Sequence, residues 1–167
     1  MPPILLWDAS ALVKRYALEA GSATVNELFV HVSLAQMVAT FPGHVETYAA
    51  LVRKRNRGEI TAATFRSAAT YLQAEVLSSL DFSLLTVENA DLLDGVGFVE
   101  VHNLNATDAG ILVTYLRYAR AQPPNSPTIV LVAADTRLLR AADAEGLTTL
   151  NPETVSASDI PALLSAW

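Results

Sequence analysis

Short apolar runs alternate with amphipathic stretches along the whole chain. Ile4-Leu5-Leu6-Trp7 ahead of Asp8 reads as a buried strand over residues 4–8. A helix follows through 11–16, Gly21-Ser22 breaks it, and a second helix covers 25–32. Residues 35–40 read as the second strand and Phe41-Pro42-Gly43 as a turn. A helix over 44–57 ends at Gly58, a favourable C-cap. Residues 61–79 carry a long helical pattern, with Thr61 as N-cap and Phe65, Ala68, Ala69, Leu72 and Val76 on one stripe. The third strand is 82–87, and 89–101 is helical. Another helix starts near Asn105 and carries Ile111, Leu112, Tyr115 and Leu116. Gln122-Pro123-Pro124-Asn125-Ser126-Pro127 is a loop inside the domain. The fourth strand spans 128–134, and its helix runs to about 145, where Gly146 stops it. Residues 148–150 form a short last strand, closed by Asn151-Pro152. Strands alternating with helices predict an α/β fold with a parallel sheet, and residues 1–167 read as one domain.

The pattern places two acids where chemistry is expected. Asp8 and Asp135 each follow one of the two most apolar strands and precede a helix. In an open parallel sheet, ligands bind at the carboxyl ends of the strands. An Asp at a strand–helix junction is also an ordinary N-cap, and from the residues alone both readings stay open. Asp108 stands three residues after Asn105 in an arrangement resembling a capping box. Glu46 lies one turn inside a helix, where the dipole welcomes negative charge, with Ala49 and Ala50 beside it. Carboxylates gathered without bases repel one another, and a hard divalent cation is the usual remedy. The four acids together predict a magnesium- or manganese-dependent phosphoryl-transfer site.

Composition narrows the field. The chain has 167 residues, 51% apolar and 17% charged, enough to bury a full core. There is no cysteine, which removes disulfides, zinc–thiolate sites and cysteine nucleophiles. The apolar run 129–134 is too short to span a bilayer, and Met1-Pro2-Pro3 brings no basic region before its apolar run, so the expected location is the cytoplasm, with no membrane partner. A net charge of −6 argues against broad, sequence-independent coating of nucleic acid, but not against a nuclease. Arg53-Lys54-Arg55-Asn56-Arg57 is either a solvated C-terminal helix turn or a phosphate contact.

The remaining acids read as ordinary. Asp81, Glu88, Asp91 and Asp94, around the third strand, are read as surface or capping residues. His31, His44 and His102 show no ligand spacing. No G-x-S-x-G, phosphate loop or G-x-G-x-x-G is present, so acyl hydrolase, P-loop and Rossmann readings lack their motifs. A haloacid-dehalogenase-like phosphatase needs Asp-x-Asp after the first strand, and here the third position is Ser10.

Leu6-Trp7-Asp8-Ala9-Ser10-Ala11-Leu12-Val13-Lys14-Arg15-Tyr16 resembles the opening of a PIN-domain protein, specifically a VapC-type toxin ribonuclease of a type II toxin–antitoxin system. Val45-Glu46-Thr47-Tyr48-Ala49-Ala50-Leu51 sits where that family places its Glu. Asn105-Ala106-Thr107-Asp108-Ala109 resembles its third acidic motif. The stretch from Val132 through Asp135 to Ala142, then Glu145-Gly146-Leu147 and Leu150-Asn151-Pro152, resembles its last segment. The resemblance covers nearly the whole chain in the right order. It implies a three-layer α/β/α PIN-like fold with about five parallel strands ordered 3-2-1-4-5. It further implies Asp8, Glu46, Asp108 and Asp135 as catalytic and Mg²⁺- or Mn²⁺-holding residues, with Ser10 and Thr136 as donors that orient the carboxylates. An RNA substrate, a cognate antitoxin protein and a homodimer also follow from it. A non-catalytic PIN-like RNA- or protein-binding module and a different metal-dependent phosphoesterase are the competing readings.

Overall fold

The computed structural model describes residues 2–167; Met1 lies outside it. Five parallel strands form one sheet: β1 Ile4–Trp7, β2 Met37–Thr40, β3 Ser83–Leu85, β4 Ile129–Val132 and β5 Thr148–Leu150. Their order is β3-β2-β1-β4-β5, as expected. β1 is central, pairing Leu5 with Met37 on one side and Trp7 with Val132 on the other. Its neighbours β2 and β4 lead away in opposite directions, so the topological switch falls beside β1.

Alternation along the strands builds the two faces. Leu5, Trp7, Met37, Ala39, Val130 and Val132 face one helical layer, while Leu6, Val38, Leu131 and Ala133 face the other. Both faces of the central strands are buried, which is why the runs read as continuous apolar segments. The first layer holds α1 (Ala9–Leu12), α2 (Ser22–His31), α3 (Phe41–Asn56), α4 (Ala62–Leu72) and α9 (Ile160–Ala166). The second is built mainly on α7 (Ala106–Arg120) and α8 (Thr136–Ala144), with α6 (Val96–His102) against both, and α5 (Asn89–Asp94) packs on α7.

Several expectations need correction. The turn at 41–43 is the first turn of α3: Pro42 needs no N–H partner there, and the Thr40 hydroxyl caps the helix by accepting from the Gly43 amide at 3.0 Å. The long pattern from 61 gives α4 and then a π-helical segment over 73–77. The helix expected over 89–101 is two helices meeting at Gly95. There the backbone of α7 comes so close that a Cβ on Gly95 would lie 3.0 Å from the carbonyl carbon of Ala109. The helix α9 was not anticipated; it packs Ile160 into the core against α2. Asp91 belongs to the capping box of α5, one of the two expected readings, but it is not on the surface. It is 2% exposed and accepts from Arg117 at 2.6 Å, Thr114 at 3.0 Å and the Glu88 amide at 2.9 Å, tying α5 to α7. The basic cluster is largely structural. Lys54 pairs with Glu19 and Glu59, and Arg55 lies over the Phe65 ring at 4.6 Å; only Arg53 in it is both exposed and without an ion pair among the described residues.

Candidate active site

The last residue of β1 hands directly to Asp8, which is buried and serves as the N-cap of α1. Its Oδ2 accepts from the Ser10 amide at 2.9 Å and from the Ser10 hydroxyl in a very short bond. The same Ser10 oxygen accepts from the Ala134 amide at 2.9 Å and the Asp135 amide at 3.2 Å. One hydroxyl therefore fastens the ends of β1 and β4 together. The Asp8 amide adds a bond to the Val132 carbonyl at 3.0 Å. Asp135 caps α8, its Oδ1 accepting from the Arg137 and Leu138 amides at 2.8 and 3.2 Å.

Asp108 arrives from the other layer. Asn105 caps α7 by accepting from the Asp108 amide at 2.8 Å, and its side-chain amide donates to Asp108 Oδ2 at 2.7 Å. Seven residues further, and so on the same face of α7, the Tyr115 hydroxyl donates to the Trp7 carbonyl at 2.7 Å. This fully buried tyrosine holds α7 against the end of β1 one residue before Asp8. Its sequence signal was an aromatic in an apolar stripe, which packing alone would explain. Glu46 comes from the second turn of α3, half-buried.

The four acids lie near enough for each to feel the charge of at least one other. Asp108 titrates at about 6 instead of 3.8, first because burial penalises its charge and then because Asp8 and Asp135 repel it. Burial raises Glu46, with Asp8 and Asp108 adding to the effect. Burial also raises Asp8; hydrogen bonds from Ser10 pull it down in part, and Asp135 pushes it up. The opposing cations are sparse: Arg137 offsets Asp108 and reaches Asp135 Oδ2 only at 3.7 Å, and Arg53 offsets Glu46.

Thr136 stands apart from this picture. It is exposed and donates to none of the acids among the described residues, because at the first position of α8 its side chain turns to solvent and backbone amides supply Asp135 instead.

The donor set is all oxygen, which suits a hard cation. Asp8, Asp108 and Asp135 each spend one oxygen on a cap or its neighbour, and the other has no hydrogen bond among the described residues. Among the described residues, however, no three such side chains converge on one ion-sized point. The arrangement therefore fits an ion held by one or two carboxylates with water completing its shell, as magnesium favours, and not a closed three-carboxylate cage.

No protein-family model matches this chain, and no curated protein does either. Solved structures do. The Pyrobaculum aerophilum protein PAE2754 superposes with a TM-score of 0.63 at 20% identity, covering 100% of both chains. FitAcB from Neisseria gonorrhoeae gives 0.63 at 14%, over 90% of this chain and 99% of its own. VapC20 of Mycobacterium tuberculosis, a toxin that cleaves the sarcin–ricin loop, gives 0.62 at 15%, over 89% and 99%. With its three layers and 3-2-1-4-5 sheet, the chain has the PIN-like fold.

Proposed function

We propose that this protein is a divalent-metal-dependent endoribonuclease, the toxin of a toxin–antitoxin pair. The observation that carries the reading is the four-acid crevice at the carboxyl ends of β1 and β4, where burial and neighbouring charge hold Asp8, Glu46 and Asp108 above their ordinary range with little cationic relief. A PIN-like fold and a resemblance to VapC-type ribonucleases that runs the length of the chain point the same way.

A bound Mg²⁺ or Mn²⁺ would supply a water of lowered pKa and offset charge growing on the scissile phosphate. Asp8 and Asp135 would hold it directly, with Asp108 and Glu46 reaching it through its waters, Glu46 as the base that orients the attacking one. Ser10 keeps the Asp8 carboxylate aimed and the two strand ends in register. Asn105 restrains Asp108, and Tyr115 fixes the depth at which α7 enters. No side-chain nucleophile is required.

A small antitoxin covering the crevice, a homodimer and a cytoplasmic location complete the proposal. No helix among the described residues is long and apolar enough to cross a membrane. That no three acids among the described residues converge on a point favours one competitor, a PIN-like module that binds RNA or protein without cutting. One experiment separates them. Wild type and Asp8→Asn are incubated with labelled RNA in Mg²⁺, in Mn²⁺ and in EDTA. Endonucleolytic products from wild type with metal, and none from Asp8→Asn or in EDTA, are expected. Metal-independent cleavage, or cleavage retained by folded Asp8→Asn, removes the assignment.

A further inference from the structure

The crevice has an unsolved electrostatic problem. A polyanionic substrate must approach four carboxylates on a chain whose net charge is already −6, and phosphate binding draws on Lys and Arg. Most of the eleven cations are committed. Lys14, Arg15, Lys54, Arg57 and Arg117 sit in ion pairs, and Arg55 is stacked on Phe65. Among the described residues this leaves Arg53, Arg66, Arg120 and Arg140 outside any ion pair, and Arg137 with a single long one, to the site acid Asp135 itself.

Three of these five flank the acids. Arg137 is two residues past Asp135, 53% exposed, and its guanidinium stands 3.7 Å from Asp135 Oδ2, too far for a hydrogen bond that would lock it. Arg140 follows at i+3, so both project from the same face of α8, exposed, while Leu138, Leu139, Ala141 and Ala142 face the core. On the opposite wall, Arg53 is exposed on α3, seven residues from Glu46. Two helical turns put it on the Glu46 face, about 10 Å further along the axis. Arg53 and Arg137 are also the cations that lower the acids they face. By contrast, Arg120 is at the far end of α7, about 18 Å along the helix from Asp108, and Arg66 rides on α4, whose main packing partner is α3.

We propose that Arg53, Arg137 and Arg140 form a phosphate track that grips the RNA backbone on both sides of the crevice and lays one phosphodiester across the acids. This rests on the ribonuclease reading above. The three are positioning residues: they hold non-reacting phosphates, carry no base specificity, and act on binding more than on the chemical step.

The test measures binding without cleavage. A fluorescein-labelled single-stranded oligoribonucleotide of mixed sequence is titrated by anisotropy against full-length Asp8→Asn protein at several salt concentrations. Arg53→Gln, Arg137→Gln and Arg140→Gln are then added singly and together, with Arg120→Gln as control. Removing one cation from the RNA backbone lowers the slope of log affinity against log salt by about 0.7, so the triple variant should bring it down by about 2. Melting temperatures should stay unchanged, because all three side chains are on the surface. In the otherwise wild-type enzyme the same changes should raise KM far more than they lower kcat. If the parent binds RNA and the triple variant keeps its slope and affinity, the track is refuted and the ribonuclease reading stands. If the parent binds no RNA at any salt, the ribonuclease reading falls and the track with it.

Discussion

Asp108→Asn should make the protein more stable near neutral pH while removing activity. The carboxyl titrates at about 6 in the native state and near 3.8 when unfolded. Between those values the native state holds more protons than the unfolded one, so stability falls as pH rises through the window. Below the window the group is neutral in both states and costs nothing; above it the full cost is present. Moving a carboxyl that far corresponds to about 3 kcal/mol between its two forms. Asp108 is partly exposed, however, and solvent and salt screen it, which brings the expected cost down to about 1 kcal/mol. Asparagine preserves the shape and still accepts from the Asn105 amide at the position of Oδ2.

The assay is urea unfolding of wild type and Asp108→Asn across the acid-to-neutral range in EDTA. The variant should gain about 1 kcal/mol at neutral pH, a shift of about 2–4 °C in melting temperature for a chain of this size. The gain should vanish as pH falls below the unfolded carboxyl range. Adding Mg²⁺ should then reverse the ranking: binding to the native state stabilises wild type by about 2.7 kcal/mol at a hundred times Kd, and the variant by less. A variant that is equally or less stable at neutral pH, or whose gain persists in acid, refutes the claim that these acids repel one another in the folded protein.

Two further substitutions test the supports of the site. Ser10→Ala leaves the Ala134 amide and Asp8 Oδ2 each short of a partner, at a cost of about 1–3 kcal/mol; because the Ser10 bonds pull the Asp8 carboxyl down, the acid limb of the cleavage pH profile should also move to higher pH, and an unmoved limb would show that Ser10 only fastens the strands. Tyr115→Phe strips one donor from the buried Trp7 carbonyl, costing about 1–3 kcal/mol in urea unfolding, and should lower kcat by loosening α7 and Asp108; unchanged cleavage would show that packing alone seats α7.

Fold and site were legible to different depths. β1 and β4 announced themselves because strands buried on both faces must be apolar throughout; the sheet order came from the family resemblance, and that order made the acids after them neighbours. β3 is only three residues, 83–85, at the sheet edge, and its exposed Ser83 shows why the longer stretch 82–87 was ambiguous. The break at Gly95 and the burial of Asp91 depend on how closely α5 meets α7, an approach between segments that no local periodicity encodes. Arg53 stood in a basic run already read as a possible phosphate contact, but which member of that run is unclaimed was hidden for a related reason, as was Arg137. An arginine's availability depends on whether another residue has claimed it, and the partners that occupy Lys14, Arg15 and Arg117 lie 139, 60 and 26 positions away in sequence.

Capping and a role in the site are not exclusive for these acids on stereochemical grounds. Asp8, Asp108 and Asp135 each had a competing explanation in helix capping, and each is in fact engaged at a helix start. A carboxylate has two oxygens and about four acceptor sites, so capping consumes only part of it. Asp135 gives Oδ1 to two amides and keeps Oδ2; Asp8 gives Oδ2 to Ser10 and keeps Oδ1; Asp108 gives Oδ2 to Asn105 and keeps Oδ1. The bonded oxygen fixes the rotamer, and the fixed rotamer aims its twin. A freely rotating carboxylate would swing away from its neighbours' charge. Capping removes that escape, which is why three helix starts can hold their acids against mutual repulsion. It also explains why, among the described residues, no three of these oxygens meet at one point: helix geometry sets each direction independently, so an ion held as proposed would bring water to fill its remaining positions.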